Sequence, residues 1–150
     1  LINRQWAVEN PLGCAGYGPH SWGLTASYSP NEDGSVGYAA HKPGSEDGDR
    51  CVITPTAALS SFPYAPEQAM DALRHFYYDL GDRLWGPYGF YDAFSVERDW
   101  FPPRYLAIDQ GPIVVMIENH RSGLLWELFM SSPEVREGLR KLGFESPHLE

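Results

Sequence analysis

The sequence predicts an all-α fold in which long loops lie together at one end. Three observations carry this prediction: an apolar stripe at helical spacing between residues 66 and 84, a nearly continuous apolar run over 112–129, and the helix start Ser132-Pro133-Glu134. We find no convincing alternation of apolar and polar residues, although a small hairpin within the first loop stays open. The chain is expected to divide into a loop-rich part, 11–55, and a helical part, 56–150.

The first ten residues predict the end of a helix that Asn10-Pro11 stops. A chain that begins within a helix is expected to be the C-terminal portion of a longer domain, with any targeting signal in the preceding part. Residues 54–60 predict a short helix. A longer amphipathic helix opens at Pro66 and ends near residues 85–87, with its stripe formed by Ala69, Met70, Leu73, Phe76, Tyr77, Leu80 and Leu84.

The helix from about Pro112 to Phe129 has apolar residues on almost all sides, which predicts burial. Glu118 within it would then need a partner such as Arg121. In the last helix Ser132 is the expected N-cap, and Gly143 occupies the place favoured for a left-handed C-cap.

Composition narrows the class of ligand. The 150 residues include 11 Lys and Arg against 20 Asp and Glu, a net charge of −9, and 14% are aromatic. This balance argues against nucleic acid or an anionic membrane as partner and favours a neutral ligand such as a sugar. No apolar run approaches the roughly 20 residues needed to cross a bilayer.

Cys14 and Cys51 bracket the first loop, either as a disulfide in an exported protein or as two buried thiols. The acidic segments 31–34 and 46–49 lack the spacing of a calcium-binding loop, so solvated turns are the favoured interpretation. Dinucleotide, phosphate-loop and zinc-ligand patterns are also lacking. We therefore expect no cofactor and no metal.

The N-terminus of the apolar helix is the strongest candidate for a catalytic site. Asp109 and Gln110 lie just before Gly111-Pro112, where a side-chain oxygen accepts from the free N–H groups of a first turn. Asp109 is therefore a cap or a catalytic group. Asp92, surrounded by aromatic residues, either binds sugar hydroxyls or caps the following turn.

The long loops display aromatic side chains that suit a sugar-binding wall. Aromatic faces stack on pyranose rings and gain roughly 25 cal/mol per Å² of apolar surface buried. The loop aromatics we single out as substrate-binding candidates are Trp22, Tyr38, Tyr91 and Trp100, and Gln110 is a polar candidate for the same role. Each aromatic has packing within the protein as its alternative role.

Four ordered motifs resemble the glucoamylase-like family, which includes bacterial endo-β-1,2-glucanases and a domain of cyclic β-1,2-glucan synthases. They are residues 22–27 (WGLTAS), 55–63 (PTAALSSFP), 80–94 (LGDRLWGPYGFYDAF) and 105–126 (YLAIDQGPIVVMIENHRSGLLW). Together they span nearly the whole chain.

The resemblance implies the C-terminal part of an (α/α)6 toroid, hydrolysis of β-linked glucan, foremost β-1,2-glucan, and inversion at the anomeric carbon. It places a water-activating aspartate late in the chain, where Asp109 matches best, and a general acid in the missing N-terminal half. A periplasmic or cell-envelope location follows from the same resemblance. The sequence departs from the family in one place: residues 28–30 read Tyr-Ser-Pro where Asp-Gly-Pro is typical.

Two functions from different classes are therefore weighed. The first is a glycoside hydrolase segment that acts on glucan or oligosaccharide and is inactive without the missing half. The alternative is a non-catalytic carbohydrate-binding protein on the same fold, which the departure at residues 28–30 favours. A purely structural helical domain is a third alternative and predicts no glycan binding.

Overall fold

The structure, a computed structural model, describes residues 1–44 and 48–149. Its helices are α1 (Ile2–Glu9), α2 (Pro55–Leu59), α3 (Pro66–Arg74), α4 (Gly81–Leu84), α5 (Ala107–Ser122), α6 (Leu124–Met130) and α7 (Pro133–Lys141). Its strands are β1 (Ala26–Pro30), β2 (Val36–Ala40), β3 (Trp85–Gly86) and β4 (Gly89–Phe90). Helices thus dominate, as predicted, and none of those described is long and apolar enough to cross a membrane.

The first loop holds an antiparallel hairpin, β1 with β2, in which Tyr28 lies opposite Tyr38. This is the small hairpin that the sequence left open, although no alternation of apolar and polar residues marked its strands. Ser27 and Ser29 are buried positions of β1. Because these alternate residues are small and polar, the side of the strand that carries them shows no apolar residue at every second position. The hairpin turn 31–34 is exposed, which confirms the solvated turn.

A disulfide joins Cys14 to Cys51, so these residues are bridged and are not two buried thiols. Beside it Asp49 is buried and accepts hydrogen bonds from Trp6 Nε1 and Tyr17 Oη, both at 2.6 Å. Assigning Asp49 to a solvated turn was therefore wrong. Its neighbours in that segment, residues 46 and 47, lie outside the described residues.

The predicted helix end at Asn10 and the short helix α2 are confirmed. The longer helix from Pro66 is not continuous: α3 passes into one π-helical turn at His75–Asp79, and α4 follows after Leu80. Within its stripe, Phe76 and Leu84 are buried, whereas Tyr77 is 47% exposed.

The helix expected over 112–129 begins earlier and is broken. It starts at Ala107, so Pro112 lies inside α5, and Gly123 in a left-handed conformation (φ 73°) separates α5 from α6. The burial prediction was also wrong, since Val114 is 70% and Leu128 60% exposed. Within this chain α5 packs on α2 and α6 and leaves much of its apolar surface uncovered.

The end of the chain follows prediction closely. Ser132 Oγ accepts from the Val135 N–H at the start of α7, and Gly143 (φ 77°) closes the helix.

Within α5 the predicted pairing of Glu118 with Arg121 is confirmed, with Arg121 Nη1 at 3.3 Å from Glu118 Oε2.

The core lies between α1, the first loop, α2, α3 and the segment after β4. Its largest fully buried apolar side chains are Phe76, Phe94, Ile53, Leu59 and Leu84. Ile53 and Phe94 exchange two backbone hydrogen bonds, which joins the end of the first loop to the segment that carries Asp92.

Replacing both Cys14 and Cys51 with serine should lower the free energy of unfolding by about 3–4 kcal/mol, because the unfolded chain regains the freedom of a long closed loop. Urea unfolding by circular dichroism measures the change. Wild type under strong reductant is the control and should unfold at the midpoint of the variant. A variant that unfolds at the midpoint of oxidised wild type contradicts this prediction.

Candidate active site

The segment after β4 and the start of α5 are held together at two points. Gln110 Nε2 donates to the Phe90 carbonyl at 2.8 Å, and the Asp92 N–H donates to the Arg104 carbonyl at 2.9 Å. Since Gln110 follows Asp109, these bonds bring Asp92 and Asp109 to the same place.

Asp92 is almost completely buried, with 1% exposure. Its Oδ2 accepts from the backbone N–H of Tyr28 at 2.7 Å, at the centre of β1. The carboxyl therefore joins the hairpin to the segment after β4.

Asp109 lies in the first turn of α5 and is 8% exposed. The N-cap is Leu106, which gives no side-chain cap, and the Asp109 N–H donates to the Leu106 carbonyl. The capping alternative for Asp109 was therefore wrong. It still lies close to the free N–H groups of a helix start, which carry a partial positive charge.

The two carboxyls interact directly. Burial raises the pKa of Asp92 from 3.8 to about 7, and the hydrogen bond and charge of Asp109 act in the same direction, while the Tyr28 N–H opposes them. Asp92 Oδ1 and Asp109 Oδ2 are both buried without an N–H or hydroxyl donor among the described residues. A hydrogen bond between two carboxyl groups needs a proton on one of them, and the raised pKa of Asp92 favours the proton on Asp92.

This contact limits the chemistry of the pair. An inverting glycosidase separates its acid and base by roughly 6.5–9.5 Å to leave room for water. Two carboxyls in hydrogen-bond contact lack that space, so Asp92 is not the acid partner of Asp109 in such a mechanism.

The sugar-binding candidates lie in different surroundings. Trp22 is 2% exposed and belongs to the core, where its ring has no open face for a sugar. Tyr91 is half-buried and packs on Tyr105, with ring centroids 5.3 Å apart. Tyr38 is 62% exposed on β2. Gln110 is partly buried and already bonded to Phe90 through its Nε2 atom.

Trp100 lines an open cavity of about 460 Å³. The cavity also includes Val36 of β2 and Arg104, whose carbonyl accepts from Asp92. A cavity of this size, with an aromatic wall and a basic side chain, suits a sugar unit.

Sequence reasoning missed Tyr28 and Arg104. Both contribute backbone groups to Asp92, and a backbone donor or acceptor leaves no signal in residue type. The described residues include no group of three or more His, Cys, Asp or Glu side chains that could hold a metal ion.

Comparisons with known proteins agree with this fold. A family model named Glycoamylase matches residues 1–133. The structure superposes on an endo-β-1,2-glucanase from Chitinophaga pinensis, solved with sophorotriose and glucose, with a TM-score of 0.91 and 61% identity. That match covers 98% of this chain and 34% of the other.

Two further relatives come from Parabacteroides distasonis. A β-1,2-glucanase structure matches with a TM-score of 0.84 and 44% identity, over 93% of this chain and 19% of that one. An exo-β-1,2-glucooligosaccharide sophorohydrolase is 45% identical over 141 residues, which are 94% of this chain and 19% of that protein. The chain thus spans about a third or less of the length of these relatives. The predicted resemblance is confirmed, and the helical structure agrees with part of an α/α toroid.

Asp92→Asn should stabilise the protein increasingly as the pH rises. With the pKa of Asp92 raised from 3.8 to about 7, the folded state binds more protons than the unfolded chain in this range, so wild type loses stability from about pH 4 to about pH 7. Asparagine keeps an oxygen for Tyr28 and cannot ionise.

Melting temperatures measured between pH 5 and pH 8 test this. The difference between variant and wild type should move in favour of the variant across the series. Asp82→Asn, an exposed position on α4, is the matched control and should follow wild type. A difference that stays constant with pH would show that Asp92 does not titrate in this range.

Proposed function

Because this chain belongs to the glycoamylase family, we propose that it forms one part of the active site of a glycoside hydrolase that acts on β-1,2-glucan. The observation that carries the proposal is the 61% identity, over 98% of this chain, to an endo-β-1,2-glucanase solved with sophorotriose and glucose. The buried acid pair at the start of α5 gives this segment a group suited to the chemistry.

In the proposed mechanism Asp109 activates water. The water gives one proton to Asp109 while its oxygen bonds to the anomeric carbon from the face opposite the leaving group, which inverts the configuration. The glycosidic C–O bond breaks, and its electron pair goes to the leaving oxygen. That oxygen takes a proton from a carboxylic acid contributed by another part of the enzyme.

The uncovered apolar surface of α5 and α6 supports the proposal that further helices complete the domain. Ile108, Val114, Leu128 and Phe129 are all at least 60% exposed. A helix that is apolar on all sides is stable in water only when neighbours cover it. Those helices would bring the general acid to the cleft.

Sugar binding is proposed for the aromatic side chains that remain accessible. Trp100 in the cavity, Tyr38 on the hairpin and half-buried Tyr91 remain the aromatic candidates, and glucan is the partner. The buried positions of Trp22 and Asp92 favour packing and positioning roles instead.

We also propose that the enzyme works in the bacterial periplasm or cell envelope. The Cys14–Cys51 disulfide supports this location, because disulfides persist in oxidising compartments and are rare in the cytosol.

Asp109→Asn should lower kcat on linear β-1,2-glucan by about 10²–10⁴-fold, since the amide cannot accept the proton of water. Reducing-end release by the full-length enzyme measures the rate, and the length of the products distinguishes internal from terminal cleavage. β-1,3- and β-1,4-glucans are the substrate controls and should release little product.

The Asp109→Asn experiment also separates the two functions. An enzyme loses turnover and still binds glucan in calorimetry. A wild-type protein that binds β-1,2-glucan and cleaves none of it would contradict the hydrolase and support the non-catalytic carbohydrate-binding alternative.

Trp100→Ala should raise KM about tenfold, because one stacked aromatic contributes roughly 1–1.5 kcal/mol through the apolar surface it buries. Trp100→Phe keeps an aromatic face and should recover much of that loss. Steady-state kinetics on β-1,2-glucan provides the measurement. Equal KM values for all three proteins would remove Trp100 from the binding wall.

A further inference from the structure

Asp92 is placed to act on Asp109 instead of on sugar. Its side chain is 1% exposed, and its Oδ2 atom is occupied by the Tyr28 N–H at 2.7 Å. Its own backbone N–H is bonded to Arg104. A glucan hydroxyl would have to displace packed protein to reach this carboxyl.

Each of the two acids has one buried oxygen that lacks a donor. Asp92 Oδ1 and Asp109 Oδ2 are buried, and neither receives a hydrogen bond from a nitrogen or hydroxyl of the described residues. A buried carboxylate oxygen without a donor is costly, and a proton on the neighbouring carboxyl removes that cost.

We infer that Asp92 is a positioning residue for the proposed base: its carboxyl, anchored by the Tyr28 N–H, keeps a proton and donates it in a hydrogen bond to Asp109. This bond would hold Asp109 in one rotamer, with its other oxygen directed to the water. It would also keep a single negative charge in the pair. The inference rests on the proposed function, because it gives Asp92 a role in the same reaction.

The groups around Asp92 determine the pH at which its hydrogen bond to Asp109 is lost. From α5 it faces the carboxyl of Asp109, from β1 the peptide N–H of Tyr28, and from the segment before α5 the carbonyl of Arg104. Asp109 is the charged side chain that acts on it. Because the pKa of Asp92 is raised to about 7, ionisation above that pH places two negative charges side by side and removes the donor.

The test compares the pH dependence of kcat on β-1,2-glucan for the full-length wild type, Asp92→Asn and Asp92→Ala, from pH 5 to pH 9. Wild type should lose rate above about pH 7. Asp92→Asn keeps an N–H donor for Asp109, so its rate at pH 6 should fall by less than about tenfold and its alkaline decline should move up by at least about one pH unit. Asp92→Ala has no donor and should lose about 10²-fold at pH 6, and its rate should show no decline centred near pH 7. Asp82→Asn should reproduce the wild-type profile.

A second readout does not depend on activity. In ¹³C NMR of aspartate-labelled enzyme without substrate, one carboxyl should titrate near pH 7, vanish in Asp92→Asn and move to lower pH in Asp109→Asn.

Failure of the positioning role and failure of the proposed function give different results. An alkaline decline in Asp92→Asn at the wild-type pH, a wild-type rate that is flat to pH 8, or equal rates for Asp92→Asn and Asp92→Ala would overturn the positioning role alone. A wild type that cleaves no β-1,2-glucan would refute the proposed function, and the NMR titration would then decide whether Asp92 holds the proton.

Discussion

The contact between two buried carboxyls is the constraint on which the site depends. Asp92 and Asp109 come from segments 17 residues apart, and both side chains are buried. Two neighbouring carboxyls disfavour two negative charges, and a donor on the outer oxygen of Asp92 holds that side chain in place. The hairpin β1–β2 provides that donor through Tyr28, and the Ile53–Phe94 bonds hold the segment of Asp92 in register with the first loop.

Much of the helical architecture could be predicted because its signals are local. The Ser132 cap, the left-handed Gly143 and the short helix at Pro55 each depend on residues within one or two turns. Asp109 was also singled out from its place near a helix start, although the cap it suggested is absent. Family motifs then identified the fold, which periodicity alone leaves open.

The rest depends on contacts between distant residues or on surfaces that this chain does not cover. The strands of the hairpin could not be located from the sequence, because Ser27 and Ser29 are buried positions of β1 and serines produce no hydrophobic period. Asp49 was taken for a solvated acid because its partners, Trp6 and Tyr17, are more than 30 residues away. The apolar character of α5 predicted burial, which was wrong for the described residues because their packing leaves much of that surface exposed.

The anchor of Asp92 at residue 28 is a peptide N–H, which every amino acid except proline carries. The side chain at this position is therefore free to change during divergence without loosening the acid pair. The departure at this position, tyrosine where the family resemblance leads us to expect aspartate, therefore leaves the hydrogen bond to the Asp92 carboxyl in place.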